Sequence, residues 1–171
     1  MRRNERKRDS AFAMRVMETC DYATLSMVDE EGKPYAIPIS PICMENGIAF
    51  HSATEGTKNT ILASHPQVCV TAVANTRRNE PKLTVEYESA VVHGLCHLVT
   101  DSQEKSQILR VLCTRYAPSA MKIGEETIMR MLDKTAIYLI TPTEIVGKEN
   151  PIATMKKEGK HHEQGNETHR N

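Results

Sequence analysis

The stretch Phe50-His51-Ser52-Ala53-Thr54-Glu55-Gly56-Thr57-Lys58 is where the chain changes from one local structure to another. The apolar run Ile48-Ala49-Phe50 reads as a short strand running out through His51 and Ser52. A polar turn with one glycine follows. Thr57 and Lys58 then open a helix read over residues 59–63. Strand, hydroxyl-bearing turn, lysine and helix start are the components of a phosphate site. The first N–H groups of a helix have no partner within it, the positive end of the dipole faces an anion, and a lysine adds a full charge. The same letters also describe an ordinary strand-to-helix connection with a surface lysine, so the neighbouring segments have to decide.

Upstream, Asn46-Gly47 is the strongest short hairpin signal in the chain and leads into this strand. Before it, Tyr35, Ile37 and Ile39 alternate on one face of a second strand that also carries Pro38 and Pro41. Proline cannot donate to a ladder, so this strand is expected to be bulged or unpaired on one side. Asp29-Glu30-Glu31-Gly32 is a hairpin turn back to a first strand over residues 22–28, with Ala23, Leu25 and Met27 on one face. Ala13, Val16, Met17 and Cys20 recur at helical spacing after Asp9 or Ser10 as cap.

Downstream, Pro66 bounds the short helix, and residues 68–73 form a nearly all-apolar fourth strand expected to be buried on both faces. Residues 75–82 read as a polar loop. A long fifth strand covers residues 83–99, and its apolar face changes near Gly94, which predicts a bend or bulge. Asp101 followed by Glu104 predicts a capped helix that turns Ile108, Leu109, Val111, Leu112 and Tyr116 to the core. A further helix over residues 121–132 precedes a last strand, residues 136–140, prolonged past Pro142 to Ile145-Val146. The sum is a mainly β chain of six strands with flanking helices. One long bent strand lets six strands curl into a small barrel, although an open α+β sheet has the same local pattern.

The length of 171 residues suits one domain, read as residues 1–150, with a polar tail over residues 151–171. His161, His162 and His169 lie in that tail and read as solvated rather than as metal ligands. Lys+Arg and Asp+Glu are both 22, so no global positive field favours nucleic acid. With no Trp, two Phe and five Tyr, the composition does not favour a single-strand stacking platform either. The five cysteines are odd in number, widely spaced and free of CxxC, as expected of reduced packing residues in a cytoplasmic protein. No apolar run reaches membrane-span length.

Several segments together resemble a known family. They are Met1-Arg2-Arg3, Gly32-Lys33-Pro34-Tyr35-Ala36-Ile37-Pro38-Ile39-Ser40, and Phe50-His51-Ser52-Ala53 with Gly56 and Lys58. Others are Ser89-Ala90-Val91-Val92-His93-Gly94, Asp101 with Glu104-Lys105, Arg115-Tyr116-Ala117-Pro118 and Gly147-Lys148-Glu149. In this order they resemble the Nim proteins, the 5-nitroimidazole-resistance branch of the pyridoxamine 5'-phosphate oxidase-like flavin proteins. The resemblance implies a split β-barrel homodimer with FMN at the subunit interface. It implies that the backbone of Ala36, Ile37, Pro38 and Ile39 lies along the isoalloxazine ring, and that His51 and Ser52 lie near the ring and ribityl chain. It gives the phosphate to Thr57, Lys58 and Asn59, and a contact from the long strand to Ser89 and Ala90, with residues of a second subunit completing the pocket.

The implied activity is an FMN-dependent oxidoreductase that reduces small electron-poor acceptors such as nitroimidazoles, with His51 as the candidate catalytic proton carrier. Relatives that oxidise vitamin B6 carry arginines on the second and last strands, and this chain has none there. It also has Pro41-Ile42-Cys43 where many Nim proteins have an aromatic, and His93 where relatives often have an aromatic or apolar residue. No Gly-rich dinucleotide fingerprint names the electron donor. A protein that binds or sequesters FMN without turnover, and a haem-binding relative using His93 or the tail histidines, are the competing readings.

Overall fold

The computed structural model describes residues 4–150. Eight strands and four α-helices follow one another as β1 (Lys7–Arg8), α1 (Ser10–Thr19), β2 (Ala23–Val28), β3 (Pro34–Ile39), β4 (Ile42–Met44), β5 (Gly47–Ala53), α2 (Thr57–Ser64), β6 (Gln67–Asn79), β7 (Thr84–Leu98), α3 (Ser102–Tyr116), α4 (Met121–Met131) and β8 (Thr135–Asn150). All strands belong to one antiparallel sheet in the order β3-β2-β6-β7-β8-β5-β4, with β1 added to β8.

The two ends of that order, β3 and β4, are neighbours in sequence. Only Ser40 and Pro41 separate Ile39 from Ile42. Three Cα steps span at most about 11 Å, so the sheet must curl until its edges face each other. No ladder joins the two edges, and the barrel stays split along that seam. The prolines explain why. β3 is an edge strand, and Pro38 opposite Thr24 needs no partner on its free side.

Two strands beyond the expected six are β1 and β4, two and three residues long, too short to show a period in sequence. The expected polar loop over residues 75–82 is mostly strand. β6 runs to Asn79, and Arg77, Arg78 and Asn79 pair with Glu86, Val85 and Thr84 beyond a register shift after Ala74. This arm of the β6–β7 hairpin outruns the core, so nothing selects apolar residues there. Residues 68–73 are buried on one face only. Val68, Val70 and Ala72 point inward while Val73 is 47% exposed, because no element among the described residues covers the other face there. The hairpin turn after β4 uses Glu45 and Asn46, with Gly47 already in β5 opposite Met44. Gly47 has φ +153, and a Cβ there would collide with the Ile140 carbonyl oxygen.

The bend predicted at Gly94 is present. His93 faces Glu144 and Gly94 faces Pro142, so β8 carries one extra residue at that point. A Cβ on Gly94 would stand 2.6 Å from the Thr141 carbonyl oxygen.

Apolar side chains form two cores. The larger fills the curled sheet beneath α1, around Met17, Leu25, Phe50, Val70, Val92 and Ile140. Phe50 stacks on Tyr138 with ring centroids 5.3 Å apart. The smaller lies outside β5 and β8, where Ile42, Ala49, Ile137 and Leu139 meet Ile108 and Leu112 of α3. α3 starts as expected, with the Asp101 carboxylate accepting from the Glu104 N–H at 2.7 Å. Of its five expected core residues only Ile108 and Leu112 are buried, while Val111 and Tyr116 are 40% and 39% exposed. Among the described residues no helix is long and apolar enough to cross a membrane. The expected tail lies outside the described residues.

Candidate functional site

β5 passes between the two cores, and its alternation sorts the candidate residues. Phe50 and Ser52 point into the barrel, whereas Ala49 and His51 point to the α3 side. Ser52 is buried, and its hydroxyl donates to the Ala53 carbonyl at 2.8 Å and lies 3.4 Å from Asn59 Oδ1. Asn59 Nδ2 donates to the same Ala53 carbonyl at 2.8 Å. Ser52 and Asn59 therefore brace the turn between β5 and α2 from the inside.

That bracing leaves the start of α2 free. Gly56 is the cap residue, with φ +124, a conformation that a side chain would strain, and it offers no side-chain cap. Asn59 and Thr60 donate back to the Gly56 carbonyl. Among the described residues, the N–H groups of Thr57 and Lys58, the Thr57 hydroxyl and the Lys58 ammonium have no hydrogen-bond or ion-pair partner. A free helix N-terminus, a hydroxyl and an unpaired cation are a donor set that fits a phosphate.

His51 likewise has no hydrogen-bond partner among the described residues, although its ring keeps contact with solvent. Desolvation, and then the nearby Lys58 charge, lower its pKa from the usual histidine value. Its side chain opens onto a cavity of about 540 Å³ between the sheet and the α3–α4 pair, shared with Ser40, Tyr116 and Ile128. Ser40 stands at the seam of the barrel. The Pro41 carbonyl next to it accepts from the Arg115 guanidinium at 2.6 Å and from the Tyr116 hydroxyl at 2.7 Å. Arg115 also donates to the Met17 and Cys20 carbonyls at 2.9 and 2.8 Å. One side chain thus ties α1, the seam and α3 together.

The β3 candidates divide by face. Ile39 is buried and Ile37 packs against the larger core, while Ala36 and Pro38 are exposed. Ser89 lies on the outer face of β7, with its hydroxyl donating to the Lys148 carbonyl at 3.3 Å, and Ala90 is fully buried. Ser89 and Ser52 lie against different points along β8. Their partners on β8 are Lys148 and Ala136, 12 residues apart, a strand contour of roughly 40 Å.

The α3–α4 wall of the cavity was not singled out from sequence. Its apolar residues have ordinary helical spacing, and nothing in that spacing separates a cavity wall from a core face. The cysteines behave as packing residues. Burial pushes the Cys43 thiol up to about 11 and the Cys96 thiol up to about 12. No group of three or more metal-ligating side chains occurs among the described residues.

A family model described as pyridoxamine 5'-phosphate oxidase matches residues 9–149. No curated protein matches the sequence. Among solved structures, a candidate 5-nitroimidazole antibiotic resistance protein from Bacteroides thetaiotaomicron is similar at 19% identity and a TM-score of 0.67, over 82% of this chain and 84% of that one. The flavocytochrome Anf3 from Azotobacter vinelandii is similar at 16% identity and a TM-score of 0.75, over 89% and 72%. A FAD- and heme-binding protein from Mycobacterium smegmatis is similar at 20% identity and a TM-score of 0.68, over 82% and 71%. These identities speak for the fold, which is the split barrel seen here. With the family match running from the cap of α1 almost to the end of β8, the chain belongs to the pyridoxamine 5'-phosphate oxidase-like family.

Proposed function

We propose that this chain is an FMN-dependent oxidoreductase that reduces small electron-poor acceptors such as nitroaromatics. The observation that carries the reading is the free start of α2, with Lys58 unpaired, one turn of chain away from a histidine that opens onto an uncharged cavity. Thr57 and Lys58 would hold the phosphate, with Ser52 and Asn59 fixing the turn that presents them. The edge backbone of Ala36, Ile37, Pro38 and Ile39 would lie along the ring. When bound, FMN would supply two electrons, which with two protons take a nitro group to nitroso and water.

His51 is the chain's candidate for handling one of those protons. Its depressed pKa keeps it neutral at neutral pH, so it would relay a proton or hold a hydrogen bond rather than carry a standing charge. The roughly 40 Å contour between Ser52 and Ser89 supports a homodimer in which Ser89 and Ala90 serve the partner's pocket. No arginine stands on β3 or β8, which speaks against a phosphorylated vitamin B6 substrate despite the family's name.

A second reading has its own support. His51, with no hydrogen-bond partner among the described residues and facing an apolar cavity, could also hold a haem iron, and two of the similar structures are described as a flavocytochrome and a heme-binding protein. The visible spectrum of the purified protein separates the two. A flavin spectrum is expected, and a Soret band overturns it. Anaerobic bleaching by NAD(P)H, followed by reoxidation with a nitroimidazole, is expected of an enzyme. A flavin that no nitro compound reoxidises leaves only sequestration.

A further inference from the structure

The cavity beneath α3 and α4 has a chemistry of its own. Its volume of about 540 Å³ lies well within the range of small-molecule pockets. That is more than one five-membered ring fills and enough for a fused-ring skeleton. No Asp, Glu, Lys or Arg lines it. Two of its hydroxyls are already spent, Tyr116 on the Pro41 carbonyl and Thr135 on the Met131 carbonyl at 2.9 Å. Ser40 and His51 remain on the sheet side and Thr127 on the helix side.

A charged ligand entering this space would lose hydration and find no counter-charge. An uncharged apolar ring would gain burial against Leu109, Leu112, Ile123 and Ile128 while keeping one or two polar contacts at the floor. Neither Thr57 nor Lys58 is part of the lining, so the phosphate determinants lie outside it.

We propose that this cavity is an acceptor subsite whose α3–α4 wall selects uncharged fused-ring aromatic compounds over charged ones and over single small rings. The acceptor role rests on the flavin reading, whereas the binding itself does not need it. Thr127 is the specificity-determining position, because among the described residues its hydroxyl, unlike that of Tyr116, has no partner and lines the helical wall of the cavity.

The test uses the full chain, with and without FMN, and three probes followed by calorimetry or ligand-observed NMR. 1-Nitronaphthalene is expected to bind at least tenfold more tightly than 2-methyl-5-nitroimidazole, and naphthalene-1-sulfonate is expected not to bind. Thr127→Glu puts a charge into the cavity and Thr127→Phe fills it. Glu is also a better helix former than Thr, so a folding defect is not built into that variant. Each is expected to weaken 1-nitronaphthalene binding at least tenfold with the thermal midpoint retained. The proposal is overturned if 1-nitronaphthalene does not bind, if the sulfonate binds equally well, or if neither variant weakens binding. It is also overturned if FMN competes with 1-nitronaphthalene, since the cavity would then be the ring's own site. Absence of any FMN binding removes the flavin reading and the acceptor role together. Failure of the probe on flavin-loaded protein removes the cavity proposal alone.

Discussion

Lys58 and His51 are seven residues apart and electrostatically coupled, yet they have separate jobs in the proposed site. Lys58 has no partner among the described residues, so removing it should leave the fold intact and cost only ligand. Lys58→Ala is expected to weaken FMN binding by about 1.5–3 kcal/mol, the loss of a charge-assisted hydrogen bond, read by flavin titration. Unchanged affinity would remove the phosphate assignment. His51 makes a pH prediction. Its folded-state pKa is depressed, so between the folded and unfolded values the unfolded chain binds more protons. Stability should therefore be full above the ordinary histidine value and fall as pH drops below it. His51→Gln should flatten that part of the profile, measured as the denaturant midpoint against pH for both proteins. A wild-type profile that the variant reproduces would show that the ring is not desolvated as described.

Two devices decide the elements around the site. The Arg115 fork satisfies carbonyls of Pro41, Met17 and Cys20 that would otherwise face little but protein. A lysine presents one rotatable ammonium and cannot match that geometry. Arg115→Lys is expected to cost about 1.5–3 kcal/mol in guanidinium unfolding, with reduced flavin occupancy because the seam beside Ser40 is no longer held. The second device is the bulge. Gly94→Ala would drive a Cβ to 2.6 Å from one backbone oxygen and 2.7 Å from Ile140 Cγ2, and backbone cannot step aside. A loss of about 1–3 kcal/mol is expected, with a changed β7–β8 register visible in backbone amide shifts. A neutral substitution would mean that the strands do not approach as closely as the structure has them.

At the scale of the molecule, α3 packs on the outer sheet face at β4, β5 and β8, whereas around Val73 of β6 the described residues leave that face open. There Thr71 and Val73 of β6 lie opposite Val91 and Ser89 of β7, and Val73 is 47% exposed. An exposed valine in mid-sheet, flanked by the half-buried Thr71 and Val91, suits burial against a second copy. In the proposed dimer the same contact would deliver Ser89 to the partner's flavin. Val73→Asp is expected to shift the protein from dimer to monomer in analytical ultracentrifugation and to weaken flavin binding with it. A wild-type monomer that binds FMN fully would overturn the two-chain pocket.

What the sequence determined is what depends on neighbours a few residues away. A cap at Asp9 or Ser10, the Asp101 cap, the Asp29–Gly32 turn, the α2 start at Thr57 and an irregularity at Gly94 are all local chemistry and legible, and the structure settles the first cap as Asp9. The family resemblance adds the long-range part, the split barrel, because residues in fixed order carry a fold that no single period shows. What only the tertiary structure decided is which face each residue serves. Alternation says that Ser52 and His51 point oppositely, but not that Ser52 is spent bracing a turn while His51 opens onto a cavity. A short β4 and the polar β6 arm carry no apolar period, since pairing rather than burial holds them. The cavity itself arises where α3 and α4 meet the far side of β5. That depends on the two-residue seam at Ser40-Pro41 curling the sheet, a closure that no local pattern records.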